Sequence, residues 1–166
     1  MRLLDRSIQG QRGCDGHGLC SVAVHVSVIN GVNLGMLGKR EPAVYGSTTL
    51  SELESRIYGW ARELGFTARC MQFDHEGDYV EAVHDSLGWA GGVIVNPGAW
   101  THYSYAIRDA LAMLDVPIVE VHISDVENRE PWRRVSVIAD IVAERIVGHG
   151  IEGYKLALEA IGRRTA

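Results

Sequence analysis

Apolar and polar positions along this chain switch repeatedly between two periods. Residues 22–29 read VAVHVSVI, a β-branched and mostly apolar run that suits a strand buried on both faces. A long, glycine-studded stretch follows, NGVNLGMLGKREPAVYGS, of a length that is uncommon inside a compact domain unless it has a task. Thr48 or Thr49 then serves as an N-cap, and Glu52 closes a capping box with Thr49. Leu50, Leu53, Ile57, Trp60 and Leu64 recur at helical spacing up to the stop at Gly65. The same alternation predicts a strand in FTARCMQF, a helix over EGDYVEAVHDSLGWA with a Tyr79, Val83, Leu87 stripe, and a strand in GGVIVNPGA. Thr101 is placed to cap a helix over HYSYAIRDALAML, whose apolar face is Tyr105, Ile107, Leu111 and Leu114. Pro117 opens the strand PIVEVH, and GIEGYKLALEAIG closes the chain as an amphipathic helix. Residues 134–147 fit a helix by period and a strand by β-branched content.

Strands alternating with helices of this size imply βαβ crossovers, hence an α/β fold with a parallel sheet covered on both faces. In such sheets ligands bind beyond the carboxyl ends of the strands. NGVNLGMLGKREPAVYG, NPGAWTH and HISDVENREPWRR each follow a predicted strand, so all three converge on one rim. Residues 1–21 show no hydrophobic period and read as a flexible extension, leaving 22–166 as a single catalytic-sized domain. Cys14, His17 and Cys20 within the extension match no common zinc spacing and lack a fourth ligand, so no metal is expected. With 16 basic and 21 acidic residues the chain has a net charge of −5, against a nucleic-acid surface. No apolar run is long enough for a membrane span, and 3 cysteines fit a reducing, cytoplasmic setting better than a disulfide framework.

The rim has no cysteine, no G-x-S-x-G elbow and no phosphate-binding G-x-x-x-x-G-K-[ST] loop. Metal-free acid–base chemistry on an oxygen-rich anion is what remains, with Arg and Asn side chains to hold it. Glu120 and His122 are two apart on a strand and face the same side. A carboxylate against an imidazole fixes the ring and favours its protonated form, as a general acid requires. On the residues alone, the pair reads more readily as a salt-bridged structural histidine at a strand end. Arg40 and Tyr45 share the first loop, where a guanidinium favours phenolate and so a base. Bringing a phenol from pKa ~10 to near neutrality takes about 4 kcal/mol, which needs a closed pocket. Without one, Tyr45 is an ordinary loop tyrosine.

The blocks NGVNLGMLGKREPAVYGSTTL, FDHEGDYVEAVH, NPGAWTHYSYAIRDAL, VPIVEVHISDVENRE and GYKLAL, in this order and spacing, resemble type II 3-dehydroquinate dehydratase over about Val22–Ala160. The resemblance implies a flavodoxin-like three-layer sandwich with a five-stranded parallel sheet, whose short fifth strand lies within 141–147. It also implies cofactor-free dehydration of 3-dehydroquinate to 3-dehydroshikimate through an enolate, in shikimate biosynthesis or quinate catabolism. By position, Tyr45 matches the base, Arg40 the residue that lowers its pKa, Asn33 the enolate-stabilising asparagine, His122 the general acid and Glu120 its partner. Asn96, His102, Ser124 and Arg133, with the backbone of Ile123 and Ser124, match the groups that hold substrate hydroxyls and carboxylate. Asp109 matches an aspartate that reaches a neighbouring subunit's site, which implies a homo-oligomer, a dodecamer built from trimers. Arg129 matches a common arginine with no role to carry over. Val32 in place of Pro, Trp100, the run Val135–Asp140, and Glu144 with Arg145 depart from the pattern and bear on subunit packing and pocket fit. Two other readings share the rim: a lyase for a related cyclic hydroxy acid, and a non-catalytic binding module.

Overall fold

A computed structural model describes residues 23–39 and 47–166. Arg40 and Tyr45, and the extension 1–21 with Cys14, His17 and Cys20, lie outside the described residues. Five parallel strands form one sheet: β1 (His25–Asn30), β2 (Thr67–Gln72), β3 (Gly92–Asn96), β4 (Ile118–His122) and β5 (Glu144–Val147), in the order β2-β1-β3-β4-β5. This is the doubly wound, flavodoxin-like order. The described helices are α1 (Leu50–Glu63), α2 (Glu76–His84), α3 (Tyr105–Leu111) and α4 (Gly153–Thr165). The α/β sandwich expected from the sequence is therefore present, and the ambiguous stretch 134–147 supplies a short fifth strand only at its end.

Alternation along the strands divides the core into two layers. Val26, Val28, Ile94, Val119 and Val121 meet Leu53 and Ile57 of α1 and Leu158 and Ile161 of α4. Ile29, Val93, Val95 and Ile118 meet Tyr79 and Val83 of α2 and Ile107 and Leu111 of α3. Helix α1 starts as the sequence predicts, with a complete Thr49–Glu52 capping box.

Two helices are shorter than their patterns. Helix α2 stops at His84, and Leu87 is exposed rather than part of the stripe. The chain turns there, with Ser86 Oγ 3.0 Å from the Ala82 carbonyl and Gly88 at φ 68°. Helix α3 is capped by Ser104, whose hydroxyl accepts from the Ile107 N–H, and not by Thr101. Thr101 lies instead in a 3₁₀ segment, Gly98–His102. With the start moved to Tyr105, that ring is 70% exposed and Ile107, Ala110 and Leu111 face the core.

The carboxyl ends of β1 and β3 are locked together by backbone. The Gly31 N–H donates to the Asn96 carbonyl at 2.8 Å, and a Cβ on Gly31 would lie 2.3 Å from the Pro97 oxygen. No side chain fits there, so the first and third loops meet across that glycine.

Candidate active site

One cavity opens at the carboxyl edge of the sheet. The loop after β1 lines it with Val32, Asn33, Leu34, Met36 and Leu37, and the end of β3 with Asn96, Gly98, Ala99 and His102. The end of β4 adds His122, Ile123, Ser124 and Val126, and the 3₁₀ segment Pro131–Arg134 adds Trp132 and Arg133. Of the residues singled out in the sequence, Asn33, Asn96, His102, His122, Ile123, Ser124 and Arg133 thus converge on one space. Glu120 stands directly behind it. Asp109 does not line the cavity; it is exposed on α3.

Glu120 is fully buried and paired in register with Val95 on one side and Arg145 on the other. A buried carboxylate needs partners, and it has four. The His122 Nε2–H donates to Oε1 at 2.8 Å, the Thr101 hydroxyl makes a short bond to the same oxygen, Ser136 Oγ lies 3.0 Å from both oxygens, and Arg145 Nε donates to Oε2 at 2.7 Å. Burial pushes this carboxyl's pKa up, but the hydrogen bonds from His122 and Thr101 and the charges of His122 and Arg145 outweigh it and hold the group at about 2. Glu120 is thus an anion across the physiological range and can only accept. His122 spends Nε2 on it, so Nδ1 is the ring nitrogen left for a ligand.

His102 is set differently. Its Nδ1 lies 2.6 Å from the Val135 carbonyl and must donate there. Burial lowers its pKa, and the nearby His122 and Arg133 add to that against the Val135 bond. The ring is therefore neutral, with Nε2 an acceptor suited to a hydroxyl. It packs 6.4 Å from the His122 ring and edge-on to Trp132 at 5.0 Å. Arg133 lies 4.1 Å over the Trp132 ring and spends Nε on Glu130, leaving its terminal nitrogens for an anion.

Asn33 holds a left-handed backbone, φ 67°, a conformation asparagine tolerates better than most residues. Its N–H donates to Asp74 Oδ1 at 2.9 Å, which anchors the loop to the end of β2. Asn96 Nδ2 donates to the Tyr154 hydroxyl at 3.0 Å, and Tyr154 donates to Asn30 Oδ1 at 2.6 Å, all three buried.

Sequence reasoning missed Thr101, Ser136, Arg145, Asp74, Trp132 and Tyr154. Thr101 was legible only as a cap, and Arg145 only as a departure bearing on subunit packing; the structure turns Arg145 inward to Glu120. The usable signal was the chemistry of Glu120 itself, since a buried carboxylate demands more than one donor. Among the described residues no group of three or more His, Cys, Asp or Glu side chains is arranged to hold a metal ion.

Residues 24–162 match the family described as dehydroquinase class II. The 3-dehydroquinate dehydratase of Halalkalibacterium halodurans is 52% identical over 136 residues, covering 82% of this chain and 94% of the relative. That of Leptothrix cholodnii is 46% identical over 138 residues, 82% and 93% of the two chains. The crystal structure of the type II dehydroquinase of Propionibacterium acnes superposes with a TM-score of 0.82 at 40% identity, covering 86% of this chain and 99% of that one. The matched residues span all five strands, and the chain belongs to the class II dehydroquinase family.

Proposed function

We propose that the chain is a hydro-lyase that dehydrates 3-dehydroquinate to 3-dehydroshikimate. The observation that supports the site assignment is the histidine of the cavity wall: His122 is fixed through Nε2 by a buried anion, with Nδ1 left for the substrate. The C3 ketone acidifies the C2 hydrogen, and Tyr45 as phenolate takes that proton, with Arg40 lowering its pKa. Electrons of the C2–H bond pass to the ketone oxygen, and Asn33 stabilises that enolate through a water. The enolate then expels the C1 hydroxyl, which leaves as water with a proton from His122. Arg133 and the backbone of Ile123 and Ser124 take the substrate carboxylate; Asn96, His102 and the Ser124 hydroxyl take its hydroxyls. No step calls for a cofactor.

The chain works as a trimer-based homo-oligomer, a dodecamer in this reading, with Asp109 completing a neighbour's site. What supports it is an exposed face of α3 and its flank, where Tyr105 and Met113 bracket Asp109. Among the described residues no helix is long and apolar enough to cross a membrane, and the few cysteines fit work in the cytoplasm.

Purified protein mixed with 3-dehydroquinate should develop the absorbance of a conjugated enone, and Tyr45→Phe should abolish it. Residual turnover within about tenfold, a barrier change of only ~1.4 kcal/mol, would remove Tyr45 from the base role. Sedimentation of the active protein as an 18.2 kDa monomer would sink the shared-site role of Asp109.

A further inference from the structure

The shortest strand of the sheet, β5, places a guanidinium behind the acid pair. Arg145 lies opposite Glu120 in the β4–β5 register, donates Nε to its Oε2 at 2.7 Å, and keeps only a quarter of its side chain in contact with solvent. We propose that Arg145 is a positioning residue for the dehydration, one that acts through Glu120 to let His122 give up its proton. The inference deepens the proposed function and rests on His122 being the acid of that reaction.

What Arg145 changes is the charge balance before and after proton transfer. Before it, the buried Glu120 carboxylate faces two cations, imidazolium and guanidinium. When the His122 Nδ1–H bond breaks and the proton leaves with the C1 hydroxyl, Nε2–H stays on Glu120 and the ring becomes neutral. If His122 were the sole countercharge, the step would leave a bare anion in the core, a state that costs several kcal/mol. The carboxylate would then hold the imidazolium too well for it to act as an acid. A permanently charged arginine removes that penalty, because Glu120 remains compensated on both sides of the step. The two hydroxyls, Thr101 and Ser136, orient the carboxylate but bring no charge.

Among the described residues, the surrounding charges leave this task to Arg145. On the β3 side Glu120 is paired with Val95, and from α2 the Tyr79 phenol feels the Glu120 charge but is kept protonated, chiefly by burial. His102 packs on His122 but is neutral, and Arg133 is engaged by Glu130. Glu127 approaches Arg145 at 4.0 Å from the solvent side, too far to draw the guanidinium off Glu120.

The test compares Arg145→Met and Arg145→Gln, which lack the charge, with Arg145→Lys, which keeps it. In either neutral variant kcat should fall about tenfold with KM within twofold, while the alkaline limb of the kcat profile moves up by about one pH unit, the usual size for one neighbouring charge. The lysine variant should restore both. A merely structural role would lower kcat without raising the limb. Either neutral variant suffices should the other fail to fold. The His122 imidazole, followed by NMR in the free protein, should show the same upward movement of its titration midpoint. Superposable limbs and midpoints in the parent and the neutral variants would overturn the proposal, as would a lysine variant that behaves like methionine. If the parent protein fails to dehydrate 3-dehydroquinate, the proposed function falls, whereas the NMR titration still decides whether Arg145 controls His122.

Discussion

The two faces of the sheet end at the same rim in two buried polar clusters of opposite character. On the face covered by α1 and α4, Asn30, Asn96 and Tyr154 form a neutral relay of amides and a phenol. On the face covered by α2 and α3, Glu120, His122, Thr101, Ser136 and Arg145 form a charged one. Both are reached by the alternation of parallel strands, since Asn96 and Glu120 sit on opposite faces of neighbouring strands near their carboxyl ends. Both replace apolar residues that continue the core a few positions earlier. The difference teaches what each cluster is for. Neutral groups hold a shape at every pH, so the amide cluster fixes Asn96 at the cavity. The charged cluster can change its proton count, so it is where chemistry can happen.

Glu120→Gln strikes at that difference and carries the largest expected effect. The amide cannot supply the anion on which His122 is set, and turnover should drop on the order of a hundredfold, the lower range for loss of a general acid. The stability consequence has a definite sign. Glu120 is held at about 2 against an ordinary 4.5, so its contribution is whole above pH 4.5 and is lost as the pH falls towards 2. That interval corresponds to about 3 kcal/mol. Chemical denaturation between pH 6 and pH 2 should therefore show a steep loss for the parent protein and a shallower one for Glu120→Gln. Equal slopes would mean that the carboxylate is not an oriented anion.

Tyr154→Phe is the counterpart on the other face. It deletes the hydroxyl that donates to Asn30 and accepts from Asn96, leaving two buried amides short of a partner. A loss of about 1–3 kcal/mol follows. None of the three groups titrates near neutrality, because burial pushes the Tyr154 phenol far up. The decrement should thus be the same at pH 5, 7 and 9, and KM should rise more than kcat falls, since Asn96 is a binding residue in the proposed reaction. A decrement that varies with pH would erase the contrast between the faces.

How much of this was visible in the sequence follows from the same contrast. The strands are legible as short, β-branched apolar runs, the rim as the loops that follow them, and the Glu120–His122 pair as a consequence of period-2 geometry. The fifth strand followed from the resemblance, and seven cavity residues from the loops and the resemblance together, whereas the order of the strands came only with the structure. Partners supplied across the fold left no local mark. Thr101 carries the signature of a helix cap and became a hydroxyl donor because Ser104 took the cap instead. Ser136 and Arg145 lie in a stretch whose period fits helix and strand alike, so nothing local aimed them at Glu120. The stripes through Leu87 and Tyr105 overrun the helices, which are shorter than their patterns, and both residues are exposed.

The smallest expected effect tests whether position along the strand, rather than burial, separates function from stability. Ser27 in β1 and Ser86 after α2 are both buried, on the same face as Glu120 but away from the cavity, and their hydroxyls lie 2.8 Å apart. Ser86→Ala leaves the Ser27 hydroxyl without that partner and should cost about 1 kcal/mol. Because neither residue lines the cavity, kcat and KM should stay within twofold of the parent, and the alkaline limb should not move. Thermal melting and one kinetic profile check both statements. A fall in turnover without the corresponding fall in melting temperature would show that the α2 and α3 face transmits its packing to the acid pair. The boundary between the two uses of buried polarity would then lie nearer the middle of the sheet than its rim.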